Sequence, residues 1–272
     1  MPSPNSISAD RLYRLVGTPK APAFIDVRTD EAHAADPVLI PGSEKRSHLD
    51  VDAWAPKYLG RSAIVICQKG QKLSEGVAAW LRLLGVPADG LEGGIDAWRT
   101  AGLPLLQTAK LPPRDRQGRT VWVTRSRPKI DRIACPWLIR RFIDPAAAFL
   151  FVAPAEVAAV AERFGGTPFD IDGAFWSHRG DLCSFDVLLD EFGLDLPPLR
   201  RLALIVRGAD TARLDLAPEA AGLLAASLGL SRMFADDLEQ LEAGMLLYDA
   251  FYRWARDATD ETHNWPAHTP KR

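Results

Sequence analysis

A chain of 272 residues that is 47% hydrophobic, 25% charged and 8% aromatic, with a formal net charge of −2, has the composition of a globular protein of two domains or one large one. Collagen-like, low-complexity and wholly disordered chains are thereby excluded, and no apolar run approaches the ~18 residues of a membrane span. The first ten residues lack a basic segment followed by an apolar one, so no secretory signal is expected, and Cys67, Cys135 and Cys183 are expected as free thiols in the cytoplasm.

Residues 5–106 alternate strand and helix. Residues 23–27 and 63–67 are short apolar runs suited to buried parallel strands. Leu73, Val77, Trp80, Leu81 and Leu84 recur at helical spacing, and Gly85 supplies a stop. Gly93 and Gly94 precede a short helix over residues 95–100. This alternation predicts a small α/β domain around a parallel sheet. Residues 107–119, with Pro112, Pro113, Gly118 and five charges, read as a linker.

A second domain is expected over residues 120–260. Residues 121–124 and 149–152 read as strands, and residues 155–164 as a helix closed by Gly165. Ile130, Ile133, Ala134, Trp137, Leu138 and Phe142 fit one helical face, with Pro128 at its first turn; Pro136 should kink that helix or start a second one. Asp172-Gly173 between two β-like runs signals a hairpin. From Ser184 onward the pattern is helical: about 184–192, 198–212, 218–228 bracketed by Pro218 and Gly229, and 236–257. The second domain is therefore α+β with a helical C-terminal half.

Cys67 ends a predicted strand and opens the loop Gln68-Lys69-Gly70-Gln71-Lys72 in front of a predicted helix. Successive backbone amides in such a turn, the positive end of the helix and two lysines all favour thiolate, the reactive form. Phe24-Ile25-Asp26-Val27-Arg28, Ile40-Pro41-Gly42-Ser43, the Cys67 loop and Leu91-Glu92-Gly93-Gly94-Ile95-Asp96-Ala97-Trp98 follow in that order. Together they resemble a single rhodanese domain. The resemblance implies that Cys67 is a nucleophile that takes a sulfane sulfur as a persulfide, that residues 68–72 cradle it, and that a thiol then accepts the sulfur. The family usually ends the loop with arginine; Lys72 keeps the charge without the bidentate fork. Asp26 and Arg28 are expected as a structural ion pair.

Charge is unevenly spread. Residues 1–106 are balanced, residues 107–142 carry net +8 and residues 143–272 net −10. Internal charge matching is the simpler explanation; a local anion site is the sharper one. If a helix starts at Pro136, Cys135 sits at its N-cap, where the helix dipole lowers a thiol pKa. Cys183 is likewise expected at a helix start, with His178 nearby. Asp210 and Asp249 fall on apolar helix faces and need a partner: Arg132, Arg140, Arg213, His178 or a metal. The expectation is that the basic helix docks on the acidic helices.

The run Arg127-Pro128-Lys129-Ile130-Asp131-Arg132-Ile133-Ala134-Cys135-Pro136-Trp137-Leu138-Ile139-Arg140-Arg141-Phe142-Ile143, with Pro168-Phe169-Asp170-Ile171, Cys183-Ser184-Phe185, Arg207-Gly208-Ala209-Asp210-Thr211-Ala212-Arg213 and Leu247-Tyr248-Asp249-Ala250, is similar to the C-terminal domain of the chromate-resistance protein ChrB family. The resemblance implies a link to chromate resistance. Sulfur transfer through Cys67 is thus the expected activity, with a small-molecule sulfur donor and a thiol acceptor, either a small thiol or Cys135 or Cys183. Chromate or sulfate is an expected further ligand, at an oxyanion or redox site of Lys129, Arg132, Cys135, Arg140, His178 and Cys183. No nucleic acid or membrane partner is expected, and no cofactor is implied beyond an open question of a metal at His178, Cys183 and the apolar-face aspartates. The alternative is a non-catalytic oxyanion, metal or redox sensor.

Overall fold

A computed structural model describes residues 5–261. In chain order the first half holds β1 (Ser6–Ile7), α1 (Ala9–Tyr13), β2 (Ala23–Asp26), α2 (Asp30–Ala35), β3 (Val38–Leu39), β4 (Ser43–Lys45), α3 (Val51–Trp54), β5 (Ala63–Ile66), α4 (Lys72–Leu83), β6 (Ala88–Leu91), α5 (Gly94–Thr100) and β7 (Leu106–Gln107). The second half holds β8 (Val121–Arg125), α6 (Asp131–Leu138), β9 (Ala148–Val152), α7 (Val157–Phe164), β10 (Thr167–Pro168), α8 (Ser184–Phe192), α9 (Pro197–Asp210), α10 (Ala220–Met233) and α11 (Asp237–Asp257).

The first sheet has the order β1-β6-β5-β2-β4, with every pairing parallel. Both central strands are buried throughout, which is why they read as unbroken apolar runs rather than alternating ones. Side chains still alternate between faces. Ile25, Val27, Val65 and Cys67 point to the core shared with Val77, Ala78 and Leu81 of α4. Phe24, Ile64 and Ile66 point the other way, into a core shared with Leu12, Ile95 and Trp98. Asp26 and Arg28 form the expected structural pair, buried at 2.7 Å, with the guanidinium also donating to the carbonyls of Asp36 and Val38.

That second core continues without a break into the C-terminal half. Phe142 lies directly over Gly17, where an added Cβ would fall 2.2 Å from the ring; the Phe142 carbonyl accepts from the Gly42 amide at 2.6 Å. Gly17 also has φ +74°, so its lack of a side chain serves backbone and packing at once. Between the halves, residues 107–119 are held rather than loose: Leu106–Gln107 pairs with β3, and Arg114 reaches the buried Asp144 at 3.2 Å.

The C-terminal half is a three-stranded parallel sheet, β10-β8-β9, with helices packed around Trp137. Three local expectations fail. Asp172-Gly173 makes no hairpin: Phe169 bridges Trp176 in parallel, and the preceding strand β10 pairs with β8. Of the two outcomes expected at Pro136, the new helix start is not seen, and Cys135 is therefore no cap: Pro136 lies within α6, its missing N–H leaves one helical bond unmade, and the chain widens into a π-turn at Ile139–Ile143. Gly229 does not end α10, which runs on to Met233.

The basic segment does dock on the acidic helices. Asp249, on the apolar face of α11, accepts from Trp137 Nε1 at 2.8 Å and pairs with the Arg141 guanidinium through both oxygens at 2.8 and 2.7 Å. The partner is Arg141, not Arg132, Arg140 or Arg213. Arg140 pairs with Glu242, and Arg132 with Asp170. The +8 and −10 stretches therefore neutralise each other inside the fold. Breaking a buried pair strands the remaining charge. Asp249→Asn should lower unfolding free energy by about 3 kcal/mol, read as a reduced urea midpoint, and Arg141→Met, which strands the buried Asp249 carboxylate, should be at least as damaging.

Candidate functional site

The C-terminal edge of the first sheet carries the Cys67 loop. Cys67 follows β5 immediately, and the strand register turns its sulfur toward α4, where Sγ lies 3.2 Å from Ser74 Oγ. The residue is 5% exposed, so the sulfur sits at the base of the loop rather than on its rim. Ser74 Oγ also reaches the Gln71 carbonyl at 3.0 Å, tying the first turn of α4 to the loop.

The loop's orientation is set from behind. The amides of Ile95 and Asp96 at the start of α5 donate to the carbonyls of Cys67 and Gln68 at 3.0 and 3.2 Å. A trans peptide points its N–H opposite to its C=O, so the amides of Gln68 and Lys69 face away from α5. Among the described residues no backbone carbonyl accepts from the amides of residues 68–71. Gly70 (φ +63°) and Gly94 (φ +60°) permit this arrangement. A Cβ on Gly70 would lie 2.3 Å from the Leu91 carbonyl oxygen, and one on Gly94 2.2 Å from that of Cys67. Gln68 turns its side chain back to Asp96 and serves the loop's shape. Lys69, Gln71 and Lys72 are exposed around the loop. A sulfur atom, a ring of unclaimed amides and two lysines make a place where a negatively charged group can be held.

Of the six residues expected to form an oxyanion or redox site in the second half, Arg132 and His178 both face Asp170, while Lys129 and Arg140 are turned elsewhere and both cysteines are fully buried. Lys129 is exposed ahead of α6. Arg132 lies against Asp170 at 3.3 Å and donates to the carbonyls of Arg125 and Ser126. Arg140 is committed to Glu242 and lies over the Phe149 ring. Cys135 is not an N-cap residue: it sits inside α6, fully buried. Cys183 is the N-cap of α8, as expected, but it too is fully buried, with Sγ 3.2 Å from Asp186 Oδ2. Burial, then the Asp131 carboxylate, pushes both thiols well above the ordinary cysteine range. The predicted lowering by a helix dipole is thus outweighed by desolvation, and both are packing residues.

Around His178 the structure assembles a different set. Its Nε2 lies 3.5 Å from Asp131 Oδ2, 3.4 Å from Asp170 Oδ1 and 3.3 Å from Asp210 Oδ2. The Asp170 carboxylate, then that of Asp210, pushes the imidazole up to about 10. Burial, then Asp210 and Asp170, pushes Asp131 well above the usual carboxylate range. Asp131 opens α6 after a turn in which Arg127 (φ 56°) and Ile130 (φ 31°) are left-handed. That turn is held by α11: Tyr248 donates to the Ile130 carbonyl at 2.9 Å and Gln240 to that of Pro128 at 2.6 Å. Asp210 was singled out by its place on an apolar helix face; Asp131 and Asp170 were missed. Asp131 lay within a basic run, and Asp170 owes its position to a left-handed backbone (φ 51°) that no local pattern signals.

The parallel sheet with a cysteine-headed loop at its C-terminal edge, followed by a helix, defines the first half as a rhodanese-like α/β domain. Residues 8–101 match the rhodanese-like domain family and residues 122–255 match the ChrB C-terminal domain family, so the chain is a rhodanese-like domain followed by a ChrB C-terminal domain. Protein ChrB of Cupriavidus metallidurans is 38% identical over 162 residues, covering 58% of this chain and 48% of that protein; the match thus spans about half of the relative's length. Among solved structures, a rhodanese-related protein from Thermoplasma volcanium is 27% identical with a TM-score of 0.33, covering 38% of this chain and 98% of that one. A rhodanese-like domain protein from Staphylococcus aureus is also 27% identical, with a TM-score of 0.32 over 35% of this chain and 90% of that one. A thiosulfate sulfurtransferase from Pseudomonas aeruginosa is 24% identical, with a TM-score of 0.32 over 38% of this chain and 19% of that one. Among the described residues no helix is long and apolar enough to cross a membrane.

The complete burial of Cys135 and Cys183, against the 5% exposure of Cys67, has a direct chemical consequence. Iodoacetamide at pH 8 should leave Cys135 and Cys183 unmodified in the folded protein, while all three cysteines react in urea; peptide mass mapping reads the difference.

Proposed function

We propose that the protein is a sulfurtransferase that carries sulfane sulfur as a persulfide on Cys67. The observation that carries this reading is the orientation of the loop: the Cys67 and Gln68 carbonyls are bound by α5, and the amides beyond them are left for an anion. In the first step the Cys67 thiolate attacks the outer sulfur of a donor such as thiosulfate. The new S–S bond forms as the donor's S–S bond breaks, and sulfite leaves with the electron pair. The terminal sulfur of the persulfide is an anion, and amides fixed in advance stabilise it without reorganising. In the second step an acceptor thiolate attacks that sulfur and Cys67 departs as thiolate.

Lys69 and Lys72 raise the local concentration of an anionic donor. Lys72 offers a point charge where a guanidinium would grip two sulfonate oxygens, which favours donors that need less of that grip, such as a low-molecular-weight persulfide. The acceptor is external. Cys135 and Cys183 are sealed in the core and protonated, so the expectation that either receives the sulfur is withdrawn in favour of a small thiol. The ChrB C-terminal domain supports placing this activity in resistance to chromate, an oxidant that consumes cellular thiols.

Intact-mass analysis after incubation with thiosulfate, and separately with a persulfide donor, tests the reading. Wild type and a Cys135→Ala/Cys183→Ala variant should gain about 32 Da, one sulfur atom, and lose it on adding a thiol, while Cys67→Ala gains nothing. An adduct that persists in Cys67→Ala, or wild type that gains none from either donor, would refute it. Lys72→Arg should shift donor preference toward thiosulfate, seen as a several-fold rise in kcat/KM for that donor alone.

A further inference from the structure

The carboxylates around His178 outnumber what one imidazole can satisfy. An imidazole Nε2 has one hydrogen, yet it faces three oxygens from three residues, at 3.3, 3.4 and 3.5 Å. None of these lies within the 2.7–3.2 Å of an ordinary N–H···O bond. Asp131 is the more telling member. Its side chain is 1% exposed, and although Oδ2 accepts from the Ser184 amide at 2.6 Å, Oδ1 has no hydrogen-bond partner. A buried carboxylate oxygen left unsatisfied is costly and calls for a partner that is not a side chain of this fold.

The two oxygens that face His178, Asp131 Oδ2 and Asp170 Oδ1, each accept one hydrogen bond from Ser184 and keep a second lone pair. Arg132 approaches Asp170 through Oδ2, on the far side of the carboxylate from His178, which faces Oδ1. Ser184 ties two of the acids together, its amide to Asp131 and its hydroxyl to Asp170 Oδ1 at 2.7 Å. Such outer contacts orient ligands and fix their lone pairs. One candidate donor atom from each of Asp131, Asp170 and His178 can be drawn so that all lie within 4.8 Å of one another.

We propose that Asp131, Asp170 and His178, joined by Asp210 at the mouth, bind one divalent first-row metal ion. Two ligands each about 2.1 Å from a common ion are separated by about 3.0 to 3.5 Å in octahedral or tetrahedral geometry. The nitrogen-to-oxygen separations here match that spacing before any movement. One imidazole and carboxylate oxygens without a thiolate suit Mn2+, Fe2+ or Zn2+ over Cu+, which prefers sulfur, and over Ca2+, which needs six to eight oxygens. Neither buried cysteine joins the set, since Cys183 Sγ is turned to Asp186 and Cys135 lies a turn further into α6. His178 and Asp210 are 41% and 21% exposed, and they give the ion its way in. The inference stands apart from Cys67, which lies in the other core.

The full chain, stripped with EDTA and dialysed, is titrated calorimetrically with MnCl2 and separately with ZnCl2. The expected result is saturable binding of one ion per chain with at least one of the two, together with a rise in melting temperature that grows with ion concentration. His178→Gln and Asp210→Asn replace the exposed members, so that loss of binding can be read in folded protein verified by circular dichroism. Each should weaken binding by at least about tenfold. Cys67→Ala should bind as wild type does. No saturable binding of either ion to wild type, undiminished binding in the His178→Gln/Asp210→Asn double variant, or binding that disappears with Cys67, would overturn the assignment.

Discussion

Backbone pressed against backbone fixes the Cys67 loop. Where Gly70 meets the Leu91–Gly94 turn, and Gly94 meets the Cys67 carbonyl, there is no room for even a methyl group. The two segments therefore exchange peptide hydrogen bonds in one direction only, with α5 donating and the loop accepting. Because peptide planes are rigid, this choice of acceptor decides where the loop's own N–H groups point. Electrostatic preparation of the site is thus a by-product of close packing and needs no charged side chain in contact with the sulfur. It also explains why Gln68 is spent on Asp96: the residue next to the cysteine locks the loop instead of meeting substrate.

The same economy of side chains joins the two halves. Phe142 covers Gly17 and its carbonyl takes the Gly42 amide, so the face of the first sheet opposite α4 is closed by the second half of the chain rather than by water. Neither half would bury that surface alone. The basic segment that makes this junction is neutralised from the acidic helices behind it, chiefly through Arg141 and Asp249. A charge imbalance that looks in the sequence like a surface for anions is consumed internally.

Much of the fold was readable because its signals are local. Strands β2 and β5 and helices α4, α8, α9 and α11 lie within a residue or two of their predicted bounds, since unbroken apolar runs, helical periodicity and flanking glycine or proline all agree there. The failures share a cause. Asp172-Gly173 is a good hairpin turn in isolation, but the strand before it gains more by joining β8 across the sheet. Pro136 is a good helix start in isolation, but the residues on either side of it are needed in one core: Trp137 packs on Phe185 and Tyr252, and Cys135 is sealed beside them. In both places tertiary burial overrode a turn or cap preference worth about 1 kcal/mol.

The two chemical centres differ in legibility for the same reason. The Cys67 loop is contiguous, so five residues in a row display it. The His178 set draws on positions 131, 170, 178 and 210, from the start of α6, the connection between β10 and α8, and the end of α9, and no spacing rule can connect them. What the sequence did show was a misplaced charge: Asp210 on an apolar face must meet a compensating group, since burial of an unpaired carboxylate is unfavourable. Followed through the structure, that single anomaly leads to His178, then to Asp170 and Asp131, and to one oxygen that still has no partner. Asp249 was an anomaly of the same kind, and its compensation is complete: an indole N–H and two guanidinium N–H groups occupy both oxygens. The contrast between a satisfied carboxylate and an unsatisfied one, both buried in the same domain, separates a structural ion pair from a place prepared for a cation.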